Sequence, residues 1–215
     1  MCPKCPKYDI KKIKNSITSN DPRIIKIKQD VYSLILKKTV RALKRLDIPV
    51  FLSSGTCLGY FREGKFIDYD YDIDVGIWAT DYTPKIAYEM KKENLILYRV
   101  LGKPREGLEL SFRMPNTPLG KHAKIDIFLH YKEKHEEGNK VAWYTYASPA
   151  FVKKVKYRVS DFDIEKVKFA GTEVFVPSPT LKYIEEHYGE DWMIPKKPFT
   201  EYTYHSSPKS IVRDE

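Results

Sequence analysis

One stretch constrains this chain more than any other. Residues 55–74 read GTCLGYFREGKFIDYDYDID. A small-residue turn leads into a short apolar segment, an arginine follows, and three aspartates then stand at spacing two: Asp70, Asp72 and Asp74. Alternate residues of a strand share one face, so Asp72 and Asp74 point the same way. Carboxylates side by side repel each other and raise the cost of keeping both charged. A hard divalent cation held through oxygen is the usual remedy. The run therefore predicts a turn and a strand that presents paired acids, and with them metal-dependent phosphoryl transfer.

The rest of the chain supplies a scaffold for that strand. At 215 residues it is long enough for one well-buried domain. Asp21-Pro22 opens a helix, Asp as N-cap and Pro at the first position. Apolar residues then recur at helical spacing to about Asp47, and Pro49 blocks continuation. Residues 50–52 form a short strand that feeds the turn at 53–56. A short helix over 57–63 is closed by Gly64. The acid-bearing strand covers 73–77, and Thr83-Pro84 opens a helix to about Glu93. Strand-like runs follow at 95–101, 108–113, 124–130, 141–146 and 173–176. A last helix, 180–188, ends at Gly189. Helices and strands mix irregularly, which predicts an α+β fold around a mixed sheet. Residues 1–20 read as a basic, flexible arm, 21–199 as the catalytic domain, and 200–215 as a polar tail.

Charge and cysteine content narrow the function classes. The net charge is +9, and residues 1–50 carry all of it, with 13 Lys and Arg against 4 Asp and Glu. The remainder holds 25 of each. A solvated basic face explains the excess, and an anionic surface, nucleic acid or acidic glycan is the other candidate partner. No nucleic-acid motif with interleaved aromatics supports a nucleic-acid partner. Three cysteines, an odd number, argue against a disulfide scaffold. Cys2 and Cys5 make half of a zinc knuckle without a second half. No run approaches 18 consecutive apolar residues, so no membrane span is expected. The first residues lack the apolar centre of a secretory signal, and a cytoplasmic location is expected.

Further residues can join the aspartates. Asp126 lies in Lys124-Ile125-Asp126-Ile127-Phe128, flanked on both sides by apolar residues. If its strand lies beside that of Asp72 and Asp74, three carboxylates converge on one or two Mg2+ or Mn2+ ions. Asp126 would then also lie near an attacking hydroxyl and could accept its proton. The alternative is an exposed strand residue paired with a lysine. Gly55 and Thr56 sit at a strand-to-helix turn, where backbone N–H groups bind phosphate. Arg62 can clamp a phosphate with its two-pronged guanidinium, or pair with Glu63. Lys124 shares a face with Asp126 and is either a phosphate ligand or a structural partner of an aspartate. No H-E-x-x-H, G-x-S-x-G or G-x-x-x-x-G-K-[ST] occurs, so zinc hydrolases, serine hydrolases and P-loop enzymes lose ground.

With these residues assembled, the chain resembles the LicD/fukutin family of phosphotransferases. The family's G-T-L-L-G, following Arg, I-P-W-D-D-D-I-D and V-D-I-F-type strand correspond here to residues 55–59, Arg62, residues 67–74 and residues 125–128. Tyr188-Gly189 through Trp192 resembles the family's Y-G-x-x-W element. Asp68, Tyr69 and Tyr71 depart from the family's Pro, Trp and middle Asp, whereas the D-x-D pair and the third Asp are kept. The resemblance implies a nucleotidyltransferase-like fold. It also implies transfer of a phosphorylated alcohol, such as phosphocholine or ribitol phosphate, from a CDP-linked donor to a sugar hydroxyl of a glycan, with release of CMP. Asp72, Asp74 and Asp126 would hold the metal, and Gly55, Thr56, Arg62 and Lys124 the phosphates. Two other readings stay open: a nucleotidyltransferase that releases pyrophosphate from an NTP, and an inactive module that binds glycan or nucleic acid through the basic first 50 residues.

Overall fold

The computed structural model describes residues 21–134, 140–146, 155–195 and 211–212. The basic arm at 1–20 and the Cys2/Cys5 pair lie outside these residues. Helix α1, Pro22–Lys44, begins as its sequence requires. Asp21 is extended, and its carboxylate accepts the Arg23 backbone N–H at 2.9 Å. Its buried face carries Ile27, Tyr32, Ile35, Leu36 and Leu43, and among them Lys28 and Thr39. The helix stops at Lys44, and Asp47 turns the chain with a left-handed backbone.

Strand β1, Phe51–Leu52, leads directly into helix α2, Ser54–Glu63. This helix starts three residues before the expected position. Ser53 is extended, and its carbonyl already accepts the Cys57 N–H at 3.0 Å, so the expected turn is the helix's first turn. Gly64 closes it with φ 65°, as a glycine allows. Strand β2, Ile73–Trp78, helix α3, Lys85–Lys92, and strands β3, Ile96–Leu101, and β4, Glu109–Arg113, follow the predicted order. Strand β5, Lys124–Lys134, runs four residues further than expected. Strands β6, Lys140–Tyr146, and β9, Thr172–Ser178, and helix α4, Thr180–Tyr188, match predicted segments.

Three strands were not predicted: β7, Val155–Ser160, β8, Asp163–Phe169, and β10, Ile211–Val212. β8 reads DIEKVKF and is mostly exposed, so it lacks the apolar run that marks a buried strand. β10 falls in the segment expected to be a polar tail, and it pairs with β7.

The strands form one mixed sheet in the order β10-β7-β6-β5-β2-β1-β9-β8, with β4 and β3 branching from β5. The β2–β5 and β1–β9 pairs are parallel and the others antiparallel. The architecture is the α+β fold with a mixed, helix-flanked sheet that the sequence predicts. In the centre, Ile73, Val75, Ile77, Ile125, Ile127 and Leu129 are fully buried. Alternation therefore turns Asp74 and Asp126 onto the opposite face of the sheet.

Candidate active site

Strands β2 and β5 lie side by side, with Asp74 directly opposite Asp126. On the far side of β5, Ser111 faces Asp126, and on the far side of β4, Arg99 faces Ser111. A polar row, Arg99–Ser111–Asp126–Asp74, therefore crosses four neighbouring strands. Sheet register brings together residues separated by up to 52 positions in the chain.

Carboxylate oxygens of Asp70, Asp72 and Asp74 lie within 4.8 Å of one another. All three side chains are half-buried, and they supply the hard oxygen donors that Mg2+ or Mn2+ prefers. Asp70 belongs to this group although it precedes β2. Its backbone N–H bonds Ile67 O at 3.1 Å, and one of its carboxylate oxygens accepts the Tyr71 N–H at 2.9 Å. Asp126 stands beside the group and is only 2% exposed. Its Oδ2 pairs with Lys124 at 3.4 Å and Arg99 at 3.6 Å, whereas its Oδ1 has no hydrogen-bond partner among the described residues. Burial, with Asp72 adding, pushes Asp70 up to about 7 against the pull of Lys28. Burial and the neighbouring aspartates push Asp74 well above the usual carboxylate range. Burial likewise raises Asp126, with Lys124 opposing. A site that strains to keep its carboxylates ionised has a built-in appetite for cations.

The start of α2 abuts this cluster. A Cβ at Gly55 would collide with Asp70 Oδ2 and lie 3.6 Å from Asp74 Oδ2. Only glycine lets the helix start come this close. Thr56 Oγ1 accepts the Asp74 N–H at 2.8 Å and so ties the helix to the acid of β2. Behind it, Ser53 Oγ and Tyr183 OH lie 3.0 Å apart, and Ser54 Oγ and Tyr144 OH 2.8 Å apart. These hydroxyls hold the turn from α4 and β6.

Lys124 pairs with Asp72 and Asp126. Burial works against its charge, but the two carboxylates outweigh burial and hold its pKa far above the ordinary value. Arg62 is directed elsewhere. Its guanidinium bonds Glu63 at 2.7 Å, Tyr69 OH at 3.1 Å and the Trp192 carbonyl at 3.2 Å, and its side chain is 6% exposed. Of the two readings open to it, the pair with Glu63 is the one present. Trp192 itself packs on Phe61, with ring centroids 5.5 Å apart.

Four residues near the acids escaped the sequence reading. Glu109 is buried and bonds Arg99 and Ser111. Arg99 bridges Glu109 and Asp126. Lys28 and Gln29 of α1 bond the backbone of the turn before β2. Lys28 left a readable signal, since it lies on the apolar stripe of its helix at the spacing of Tyr32, Leu36 and Leu43. The strand residues left none, because neither their neighbours nor their register can be read locally.

Comparison with known proteins adds to this geometry. A family model described as LicD/FKTN/FKRP, nucleotidyltransferase domain, matches residues 47–179. The ribitol-5-phosphate transferase FKTN of Mus musculus is 36% identical over 177 residues, covering 82% of this chain and 36% of its own length. The Homo sapiens protein of the same name is 36% identical over 163 residues, covering 76% of this chain and 33% of its own length. An uncharacterised Caenorhabditis elegans protein is 30% identical over 164 residues, covering 75% of this chain and 42% of its own length. This chain spans about a third of the length of the FKTN proteins it matches. No helix among the described residues is long and apolar enough to cross a membrane.

Proposed function

Because the chain belongs to the LicD/FKTN/FKRP family, we propose that it is a metal-dependent phosphotransferase. It moves a phosphorylated alcohol from a CDP-linked donor to a sugar hydroxyl of a glycan and releases CMP. The FKTN relatives are named for ribitol-5-phosphate transfer, which makes ribitol phosphate the first donor group to test. The observation that carries the reading is the in-register pair Asp74–Asp126, alongside the Asp70, Asp72 and Asp74 oxygens.

Asp70, Asp72 and Asp74 would hold Mg2+ or Mn2+, which neutralises diphosphate charge when bound. Asp126 takes the proton of the attacking sugar hydroxyl at its unpartnered Oδ1. The new bond joins that oxygen to the phosphorus bearing the alcohol. The bond from this phosphorus to the CMP oxygen breaks, and the electron pair leaves with CMP. Lys124 gives its charge to phosphate oxygens, and the first N–H groups of α2, at Gly55 and Thr56, face the donor as a helix start does. Arg62 serves as a fastener that links α2 to Tyr69 and Trp192.

Phosphorus NMR tests the reading, with the protein given CTP or a panel of CDP-alcohols and mixed sugar acceptors, with Mg2+ or Mn2+ and with chelator. Metal-dependent CMP with a new phosphodiester signal is the expected result. Pyrophosphate from CTP would overturn it in favour of nucleotidyl transfer.

A further inference from the structure

Helix α1 precedes the region matched by the family model, which begins at residue 47, yet it reaches the acidic cluster. Lys28 is 1% exposed. Its ammonium donates to the carbonyl of Asp68 at 2.7 Å and to that of Asp70. Among the described residues it forms no ion pair with a carboxylate. Gln29 grips the same turn from the next position. Its amide donates to the Phe66 carbonyl at 2.7 Å and to Asp68 Oδ1 at 3.2 Å, and its oxygen accepts the Phe66 N–H at 3.2 Å. Phe66 is buried edge-on against Tyr32 of the same helix, with ring centroids 5.5 Å apart.

A buried lysine without a carboxylate partner is costly, and a methionine of similar length would fill the space without that cost. What only a lysine supplies here is a fixed charge and donors aimed at the turn's carbonyls. The turn carries Asp70, which like Asp72 precedes strand β2, and no β-ladder holds it. We propose that Lys28 and Gln29 are positioning residues that hold the 66–70 turn, so that Asp70 stands in register with Asp72 and Asp74 for cation binding. Lys28 also places a positive charge beside Asp70 and Asp72 and lowers the repulsion among the three acids before a cation arrives. The inference rests on reading the aspartate cluster as a metal site.

The test uses the full chain with Lys28→Met and Gln29→Ala, and with Leu36→Ala as a control that opens a cavity under the same helix. Mn2+ is titrated against each folded protein, and the free ion is followed by electron paramagnetic resonance. Hydrogen exchange is measured at the amides of residues 67–72. Both clamp variants are expected to bind Mn2+ about tenfold more weakly or worse, the range for lost outer-shell support. They also exchange faster at the turn, while Leu36→Ala keeps wild-type Mn2+ affinity. Wild-type affinity in the clamp variants would overturn the inference, as would an equal loss in Leu36→Ala. A wild-type protein that binds no Mn2+ would instead overturn the metal reading. Exchange then decides the clamp alone, and unchanged exchange at 67–72 would overturn it as well.

Discussion

Asp74 is held at three points. Its N–H is bonded by Thr56, its carboxylate faces Asp70 and Asp72, and its strand position is opposite Asp126. Each constraint favours a fixed, charged oxygen at that spot over a stable fold. Asp74→Asn is therefore expected to cost more than about a hundredfold in turnover, the scale of several kcal/mol of lost metal-mediated charge stabilisation. The melting temperature of the metal-free protein holds or rises, because one of the crowded carboxylates no longer needs to ionise. Steady-state CMP release together with a thermal melt checks both parts. A variant that is inactive because it is unfolded would refute the reading. Arg62 teaches the opposite lesson at the same scale. Its residue type suits phosphate, but its four bonds to Glu63, Tyr69 and Trp192 spend most of its donors on the fold.

Among the elements, α1 bears more than its sequence suggests. Near its beginning it grips the turn that carries Asp70. At its end, Arg41 bonds Glu93 with Nε at 2.9 Å, Arg45 bonds Glu93 at 2.7 Å and Glu89 at 2.6 Å, and Lys38 donates to the Glu93 carbonyl at 2.7 Å. These bonds fasten α1 to the end of α3. Arg41 lowers the Glu93 carboxyl to about 2, against burial and with Arg45 adding. An unfolded glutamate titrates near about 4.3. The folded pKa is depressed, so the unfolded chain binds the proton more readily and the stabilisation is complete only above the unfolded value. It is lost as pH falls through the carboxyl range toward about 2. Glu93→Gln is therefore expected to melt below the wild type at neutral pH, with the gap closing as pH drops from about 5 to about 2. Thermal melts across that range check the sign, and a constant gap would refute it.

At the scale of the whole molecule, the acids and the sheet are coupled through stability. A cation that binds only the folded chain stabilises it by mass action, by about 2.7 kcal/mol at one hundred times its dissociation constant. Mn2+ is expected to raise the melting temperature of the wild type and to leave that of Asp74→Asn nearly unchanged, with chelator reversing the gain. Calorimetry with and without the ion checks this. How much of this molecule could be read beforehand follows from the range of each interaction. The D-x-D spacing, the Gly55-Thr56 turn, the Asp21 cap, the Gly64 stop and the α+β alternation are local, because a strand's two-residue and a helix's 3.6-residue repeat act between near neighbours. The apolar flanks of Asp126 marked it as a strand residue with one face to spare. They did not reveal that β5 would run parallel to β2 with Asp126 opposite Asp74, because a register is chosen by burying both strands' apolar faces at once. Nor could spacing tell that Lys28 would reach a turn 40 residues away, or that Arg62 would face Trp192, 130 residues on. The sequence by itself determined which residues could do chemistry and which elements would carry them. Only the tertiary structure decided which of them meet, because contacts between distant segments depend on how the whole sheet packs and not on any stretch of it.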